Sequence, residues 1–112
     1  MEEYKWDVKN EHITVRFVKS CEITYCTISV RSDNKKIKHY HGGTVYNPAD
    51  IYNEQTGKFL AFKKALSQRW EEKYWRLPGF MWKDYYRAWS HYLTTIMDGK
   101  VISFDDEYFN TV

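Results

Sequence analysis

The chain has 112 residues, with 17 Lys or Arg against 15 Asp or Glu, so its formal net charge is only +2. This length suits a single domain spanning residues 1–112, and a hydrophobic content of 43% excludes wholesale disorder. So weak a net charge does not by itself indicate nucleic acid, and no stretch approaches the roughly 18 apolar residues of a membrane span. Because the first residues also lack the apolar region of a signal peptide, we expect a cytoplasmic protein.

Two strands are predicted near the start of the chain. Residues 12–19 alternate, with Ile13, Val15 and Phe17 on one side, which is the two-residue period of a half-buried strand. Residues 23–31 are rich in β-branched side chains and predict a second strand.

A turn and a third strand follow. Residues 32–35, Ser-Asp-Asn-Lys, are typical of a turn, because Asp and Asn bond their own main chain and tolerate left-handed backbone. Residues 36–46 then predict the third strand of an antiparallel meander, which we expect the two glycines at 42–43 to bulge or bend. The proline within residues 47–50 ends the sheet, since it removes a backbone donor.

The second half predicts two amphipathic helices. Asp50, Asn53 and Thr56 offer oxygens that could cap the first helix. Its apolar positions recur every three or four residues, at Phe59, Ala61, Phe62, Ala65, Leu66 and Trp70.

Residues 77–79, Leu-Pro-Gly, break the helical pattern, and a second helix runs from there to Asp98 and Gly99. Its aromatic and apolar stripe consists of Trp82, Tyr85, Tyr86, Trp89, Leu93 and Ile96. Residues 101–104 could form a short final strand. Strands followed by helices predict an α+β fold, a three- to four-stranded antiparallel sheet with both helices packed on one face.

Aromatic residues are more numerous than this core requires, with five Trp, ten Tyr and six Phe. Covering one face of a three-stranded sheet takes roughly eight to ten large side chains, about the number that the two helical stripes supply. The rings in excess are Tyr4, Trp6, Tyr40, Tyr46, Tyr52, Tyr74, Trp75, Tyr108 and Phe109. The surplus indicates a surface built for contact and favours a binding protein.

The charges are unevenly distributed, because residues 31–41 and 58–76 are basic and the acids concentrate towards the two ends. Cations interleaved with aromatic rings can bind a protein partner, or phosphates and bases. The predicted binding residues are Lys58, Lys63, Lys64, Arg69, Tyr46, Tyr52, Tyr74 and Trp75. The alternatives are a solvated basic helix face, and an aromatic stripe that forms the core or an oligomer interface.

Signals for metal binding and catalysis are weak. His39 and His41 share one face of a strand, but a metal site needs further ligands. Cys21 and Cys26 have the wrong spacing for a zinc knuckle, and we interpret them as reduced thiols. No nucleophile elbow, phosphate-binding glycine loop or zinc-protease motif is present. We therefore expect no metal, no cofactor and no enzymatic activity.

Residues 43–66, GTVYNPADIYNEQTGKFLAFKKAL, resemble a segment of small phage and prophage proteins of Gram-positive bacteria. In these proteins a strand that ends in a Pro-x-Asp turn leads into a helix marked by Gly and a Leu-Ala pair. The positions that carry the resemblance are Gly43, Pro48, Asp50, Gly57, Leu60, Ala61 and Ala65. Many members have cysteine where this chain has Tyr46.

The resemblance implies a phage accessory protein that acts in the cytoplasm of a host bacterium. This class includes anti-CRISPR proteins and sponges that sequester Thoeris signalling nucleotides. The leading hypothesis is a non-enzymatic inhibitor that occupies a bacterial host defence protein through an aromatic and basic surface. The alternatives are an oligomeric sponge for a phosphate-bearing nucleotide and a small nucleic-acid-binding protein.

Overall fold

The computed structural model describes residues 2–33, 35–45 and 54–96, and within them the chain forms four strands followed by two long helices. This arrangement confirms the predicted α+β class. The elements are β1 (Glu2–Val8), β2 (Glu11–Ser20), β3 (Ile23–Ser32), β4 (Lys38–Val45), α1 (Glu54–Glu72), a short 3-10 helix (Tyr74–Arg76) and α2 (Gly79–Ile96).

The strands form one antiparallel sheet in the order β1-β2-β3-β4, the meander that the sequence predicts. Strand β1 was not predicted, although Tyr4, Trp6 and Val8 alternate with charged residues and face the core. The strand expected at residues 101–104 lies outside the described residues.

Short connections join the first three strands. Lys9, between β1 and β2, and Cys21, between β2 and β3, both have φ of 54°, the left-handed region that two-residue hairpin turns use. Non-glycine residues adopt this conformation at a cost, so the pairing of the flanking strands must stabilise it.

Gly42 marks the closest approach of the sheet to a helix. A Cβ atom at this position would lie 2.2 Å from the carbonyl oxygen of Ala61 and 2.7 Å from the amide nitrogen of Ala65. Residues 42–43 were predicted to bulge or bend the strand. Strand β4 pairs one-to-one with β3 throughout, so the predicted bulge is wrong. The glycine is required by helix packing, not by an irregularity of the strand.

The core lies between the sheet and the two helices. Alternate side chains of β2 and β3 face it, α1 covers β3 and β4, and α2 lies nearest to β1. Each fully buried large apolar side chain contributes roughly 1.5–3 kcal/mol to folding. The predicted stripes supply much of this core, namely Phe59, Phe62, Leu66 and Trp70 from α1 and Tyr85, Trp89, Leu93 and Ile96 from α2.

The residues predicted at the ends of the helices can be compared with the structure only in part. Thr56 lies in the first turn of α1, so it is not the N-cap residue. Asp50, Asn53 and the expected terminator at Gly99 lie outside the described residues. Within the part of the chain that the structure describes, neither helix has the length and apolar character needed to cross a bilayer.

Candidate functional site

Three of the predicted binding residues lie inside the protein. Lys58, Arg69 and Tyr74 expose only 5%, 3% and 0% of their surface. The interpretation of the α1 cations as one solvated or ligand-binding face is therefore wrong for Lys58 and Arg69. Two further predicted residues, Tyr46 and Tyr52, lie outside the described residues.

The remaining three predicted residues reach solvent but do not form one surface. Lys64 is exposed and its Nζ donates to the carbonyl oxygen of Gly43, 3.0 Å away, which ties α1 to β4. Lys63 is half-buried. Trp75 is exposed and lies beyond the end of α1, in the 3-10 helix.

Lys58 is buried because β1 supplies a carboxylate for it, and β1 and β2 each supply an aromatic ring. Its Nζ donates to Oε2 of Glu2 over 2.7 Å and lies 5.2 Å from the ring centre of Phe17 and 5.8 Å from that of Tyr4. The hydrogen bond from Lys58 lowers the pKa of Glu2. Lys58 therefore joins α1 to β1, and its charge is satisfied within the fold.

Arg69 and Tyr74 belong to a hydrogen-bonded network around a carboxylate that is fully buried. Glu11, at the start of β2, accepts hydrogen bonds from Nη2 of Arg69, from the Tyr74 hydroxyl at 2.5 Å and from Nζ of Lys73 at 3.0 Å. We call Glu11, Arg69, Lys73 and Tyr74 the buried polar centre. One acid thus receives donors from the end of α1 and from the 3-10 helix.

Aromatic side chains enclose the buried polar centre. Nη1 of Arg69 donates to the Tyr40 hydroxyl over 2.9 Å, and the Trp89 indole Nε1 donates to the Tyr74 hydroxyl over 3.2 Å. The ring of Tyr85 stacks on that of Tyr74, with centroids 4.4 Å apart. The centre therefore connects β2, β4, α1 and α2 through directional bonds in a region of low dielectric, where such bonds are strong.

The surroundings of Tyr74 and Arg69 raise the pKa values of both side chains. Burial raises the pKa of the Tyr74 hydroxyl, and the neighbouring Glu11 charge raises it further, so the phenol stays protonated. Burial alone would lower the pKa of Arg69, but the attraction of Tyr74, Glu11 and Tyr40 outweighs it and raises that pKa. Tyr74 and Arg69 therefore keep their protons at neutral pH, and their hydrogen bonds join the elements of the fold.

Glu11 was not predicted as an important residue, although a signal for it exists. It has the same parity along β2 as Ile13, Val15 and Phe17, so its side chain points to the core. A charged residue in phase with a buried stripe needs a partner of opposite charge. That rule would have marked Glu11 and suggested that a basic residue of the helices is also buried.

Aromatic rings do reach the surface at the connection between the 3-10 helix and α2. Trp75 is 41% exposed and Phe80 is 75% exposed, with Arg76 exposed between them in sequence. The indole of Trp75 packs against Trp82 and the buried Trp70, at centroid distances of 5.7 and 5.6 Å. We call Trp75, Arg76, Phe80 and Trp82 the exposed aromatic corner.

The face of the sheet away from the helices is mainly polar. His39 and His41 share this face, as predicted, and their Nδ1 atoms pair with the hydroxyls of Ser29 at 2.8 Å and Thr27 at 3.1 Å. Within residues 2–33, 35–45 and 54–96, no group of three or more His, Cys, Asp or Glu side chains is arranged so that it could hold a metal ion. The two histidines are thus engaged with cross-strand neighbours.

A smaller apolar area lies on the same open face. Val18, Tyr25 and Val45 are exposed and come from neighbouring strands in adjacent register positions. We call these three residues the open-face patch. It contains no Trp or Arg, the residue types that most often dominate binding energy.

The two cysteines are free and differ in environment. Cys21 is exposed in the turn after β2, whereas Cys26 is buried in β3. Burial raises the pKa of the Cys26 thiol to about 12, so this sulfur is protonated and unreactive at neutral pH.

Comparison with known proteins found no matching family model, no matching curated protein and no matching solved structure. The described residues form an α+β fold with a meander sheet, and its exposed rings include those of the exposed aromatic corner. The phage resemblance of residues 43–66 stays a prediction. Two of its positions, Ala61 and Ala65, are buried where α1 meets β4.

Proposed function

We propose that this chain is a non-enzymatic binding protein that acts by occupying another protein through the exposed aromatic corner. The observation that carries the proposal is the exposure of Trp75 and Phe80, at 41% and 75%, in a fold that buries most of its other described rings. In the setting that the phage resemblance implies, the partner is a bacterial host defence protein.

The corner has the composition and the rigidity of a binding hot spot. Trp and Arg are enriched among the residues that dominate protein interfaces, and the corner presents two Trp, one Phe and one Arg. Trp75 is held by its contacts with Trp70 and Trp82, so less side-chain freedom is lost when a partner binds. Such preorganisation supports a contact role for this part of the surface.

The charges near the corner indicate the kind of partner. Arg76 and Lys83 are exposed, and they follow Trp75 and Trp82 directly in the sequence. Complementarity therefore favours a protein surface with an apolar pocket and a rim of carboxylates. Association should be faster at low ionic strength, because exposed charges are screened by salt.

A non-enzymatic role is supported by how the perturbed groups are used. Tyr74 and Arg69 are held in internal hydrogen bonds, and Cys26 is buried and protonated. Catalytic groups need access to substrate and a pKa near the working pH. The predicted sponge for a nucleotide and the predicted nucleic-acid-binding role remain predictions. Two of the cations first proposed to hold the ligand, Lys58 and Arg69, are buried.

The proposal is tested in bacteria that carry an active CRISPR system or, separately, an active Thoeris system. We expect expression of this protein to restore plating of a phage that one of the systems blocks. The double variant Trp75→Ala/Phe80→Ser should lose that effect. A matched variant of the open-face patch, Tyr25→Ser/Val45→Ser, should retain it.

Purified components then test direct contact. The defence protein identified by the plating assay should bind the wild-type chain and the open-face variant equally, and the corner variant at least about tenfold more weakly. Both variants must show cooperative unfolding, so that loss of binding is not loss of fold. Unchanged binding by the corner variant, or no protection by the wild-type chain against either system, would overturn the proposal.

A further inference from the structure

A small basic pocket lies where the connection between β3 and β4 meets the end of α1. Its volume is about 100 Å³, and five of its seven lining residues are cations. The cations are Lys35, Lys36, Lys38, Arg69 and Lys73, and Ser32 and Val30 complete the wall. The two basic segments of the sequence, residues 31–41 and 58–76, therefore meet in space at this point.

The pocket keeps an excess of positive charge after internal pairing. Lys38 pairs with Glu72, and Glu11 accepts from both Arg69 and Lys73. Three of the five cations thus contact two carboxylates, and the pocket's five cations exceed these two carboxylates by three positive charges. Lys35 and Lys36 are exposed and lie within 4 Å of no acid among the described residues.

The cations differ in how firmly they are held. Arg69 is 3% exposed and its guanidinium is fixed by Glu11 and Tyr40, so it provides a permanent charge in the wall. Lys35 and Lys36 lie at the rim and can adapt to a ligand. A fixed charge behind flexible ammonium groups, with the Ser32 hydroxyl beside them, suits a tetrahedral oxyanion.

We propose that this pocket binds a phosphoryl group, either as inorganic phosphate or as the terminal group of a small phosphomonoester. Its size supports the choice, because pockets that enclose a whole drug-sized ligand measure roughly 300–1,000 Å³. A pocket of about 100 Å³ accommodates the phosphoryl group and leaves any attached sugar or base outside. A dianion also offsets the mutual repulsion of the surplus cations.

This site is separate from the exposed aromatic corner. Neither Trp75 nor Phe80 lines the pocket, and neither Lys35 nor Lys36 belongs to the corner. It also differs from the surface predicted from sequence, since Arg69 is the one residue they share. Protein binding and phosphate binding can therefore fail independently.

The first experiment titrates inorganic phosphate into the full chain at constant ionic strength, followed by calorimetry and amide chemical shifts. We expect saturable one-to-one binding with a dissociation constant of about 1 mM or lower. Shifts should centre on residues 32–38 and 69–73. The melting temperature should rise with phosphate and not with the same ionic strength of chloride, because the ligand binds only the folded state.

Two double variants distinguish a local site from a general charge effect. Lys35→Gln/Lys36→Gln removes the rim cations and should weaken phosphate binding at least about tenfold. Lys83→Gln/Arg87→Gln removes the same charge from exposed positions of α2, none of which lines the pocket, and should leave the affinity unchanged. Equal weakening in both, or a response to phosphate that never saturates, would overturn the proposal.

A second set of titrations identifies the source of the phosphoryl group. Ribose 5-phosphate and adenosine monophosphate are compared with inorganic phosphate. Equal affinities support a site for the phosphoryl group alone, whereas tighter binding of the ester supports a phosphomonoester. Absence of binding by all three would overturn the proposal. The rim variant should keep its contact with the protein partner, which separates this result from the test of the exposed aromatic corner.

Discussion

Tyr74 and Trp75 are adjacent in sequence and have opposite environments. Tyr74 is buried and bonds to Glu11, while Trp75 projects to solvent at the exposed aromatic corner. The 3-10 helix that contains both turns one side chain towards the buried polar centre and the next away from it. Burial in the core therefore determines which rings can contact a partner. Of sixteen described aromatic residues, nine are buried and only three are exposed.

The largest effect should come from removing the acid of the buried polar centre. Glu11→Ala leaves Arg69 without its carboxylate, and loss of one partner of a buried ion pair costs about 3–5 kcal/mol of unfolding free energy. The matched control is Glu3→Ala, which removes a more exposed ion pair with Arg16 and should cost much less, because solvent screens exposed charges. Urea denaturation measures both. Equally small losses of unfolding free energy in Glu11→Ala and Glu3→Ala would mean that the buried ion pair contributes no more to stability than the exposed one.

A smaller effect is expected from removing the hydroxyl of a buried tyrosine, and the same change at an exposed tyrosine provides the control. Tyr74→Phe deletes the donor to Glu11 and the acceptor of Trp89, and should cost about 1–3 kcal/mol. Tyr25→Phe alters an exposed ring and should change stability by about 0.5 kcal/mol or less. Thermal unfolding of the two variants at one pH gives the difference. A cost for Tyr25→Phe as large as that for Tyr74→Phe would contradict the contrast.

The exposed aromatic corner should tolerate substitution without loss of the fold. Phe80→Ser removes a ring that is 75% exposed, so we expect a change of about 0.5 kcal/mol or less. Trp75→Ala also loses the contacts with Trp70 and Trp82, and should cost about 1 kcal/mol. Chemical denaturation tests this. A loss of about 3 kcal/mol for Trp75→Ala, typical of core truncation, would assign Trp75 to the core.

The smallest effect concerns pH and the exposed His12. Hydrogen bonds to Asp7 at 2.8 Å and Asp33 at 3.2 Å raise the pKa of His12 in the folded state. Its contribution to stability is therefore complete below the unfolded-state pKa of about 6.5, and is lost as pH rises through the higher folded-state pKa.

Melting temperatures of wild type and His12→Gln, measured from pH 5 to pH 8, test this effect. The stability advantage of the wild-type chain should shrink as pH rises. Arg69 of the buried polar centre keeps its charge over the same range, because its pKa is raised. A wild-type advantage that grew with pH would contradict the assignment of His12.

The sequence predicted the class of fold and most of its elements because these depend on local pattern. The alternation in β2 and β3 and the three-to-four spacing in both helices identified the core stripes correctly. Strand β1 was missed, because its apolar positions are Tyr and Trp among charges and were counted as surplus rings. Its partner strand, not its own composition, makes it a strand.

The candidate site was harder to predict because burial of a charge depends on residues distant in sequence. Arg69 pairs with Glu11, 58 positions earlier, and Lys58 with Glu2, 56 positions earlier. A cation on a helix looks the same in sequence whether it meets solvent or a carboxylate from another strand. Of the six predicted residues that the structure describes, Trp75 alone belongs to the exposed aromatic corner. The basic pocket arises only when two distant segments meet.

The close approach at Gly42 also constrains how this protein can evolve. Position 42 must lack a side chain so that the backbone of α1 can lie against β4, and positions 61 and 65 are small and buried at the same contact. Any descendant that gains a side chain at position 42 must move the helix outward, because the new Cβ atom would overlap the backbone of α1. Distant relatives should therefore share this three-position steric signature, glycine opposite two alanines, long after the rest of their sequences have diverged.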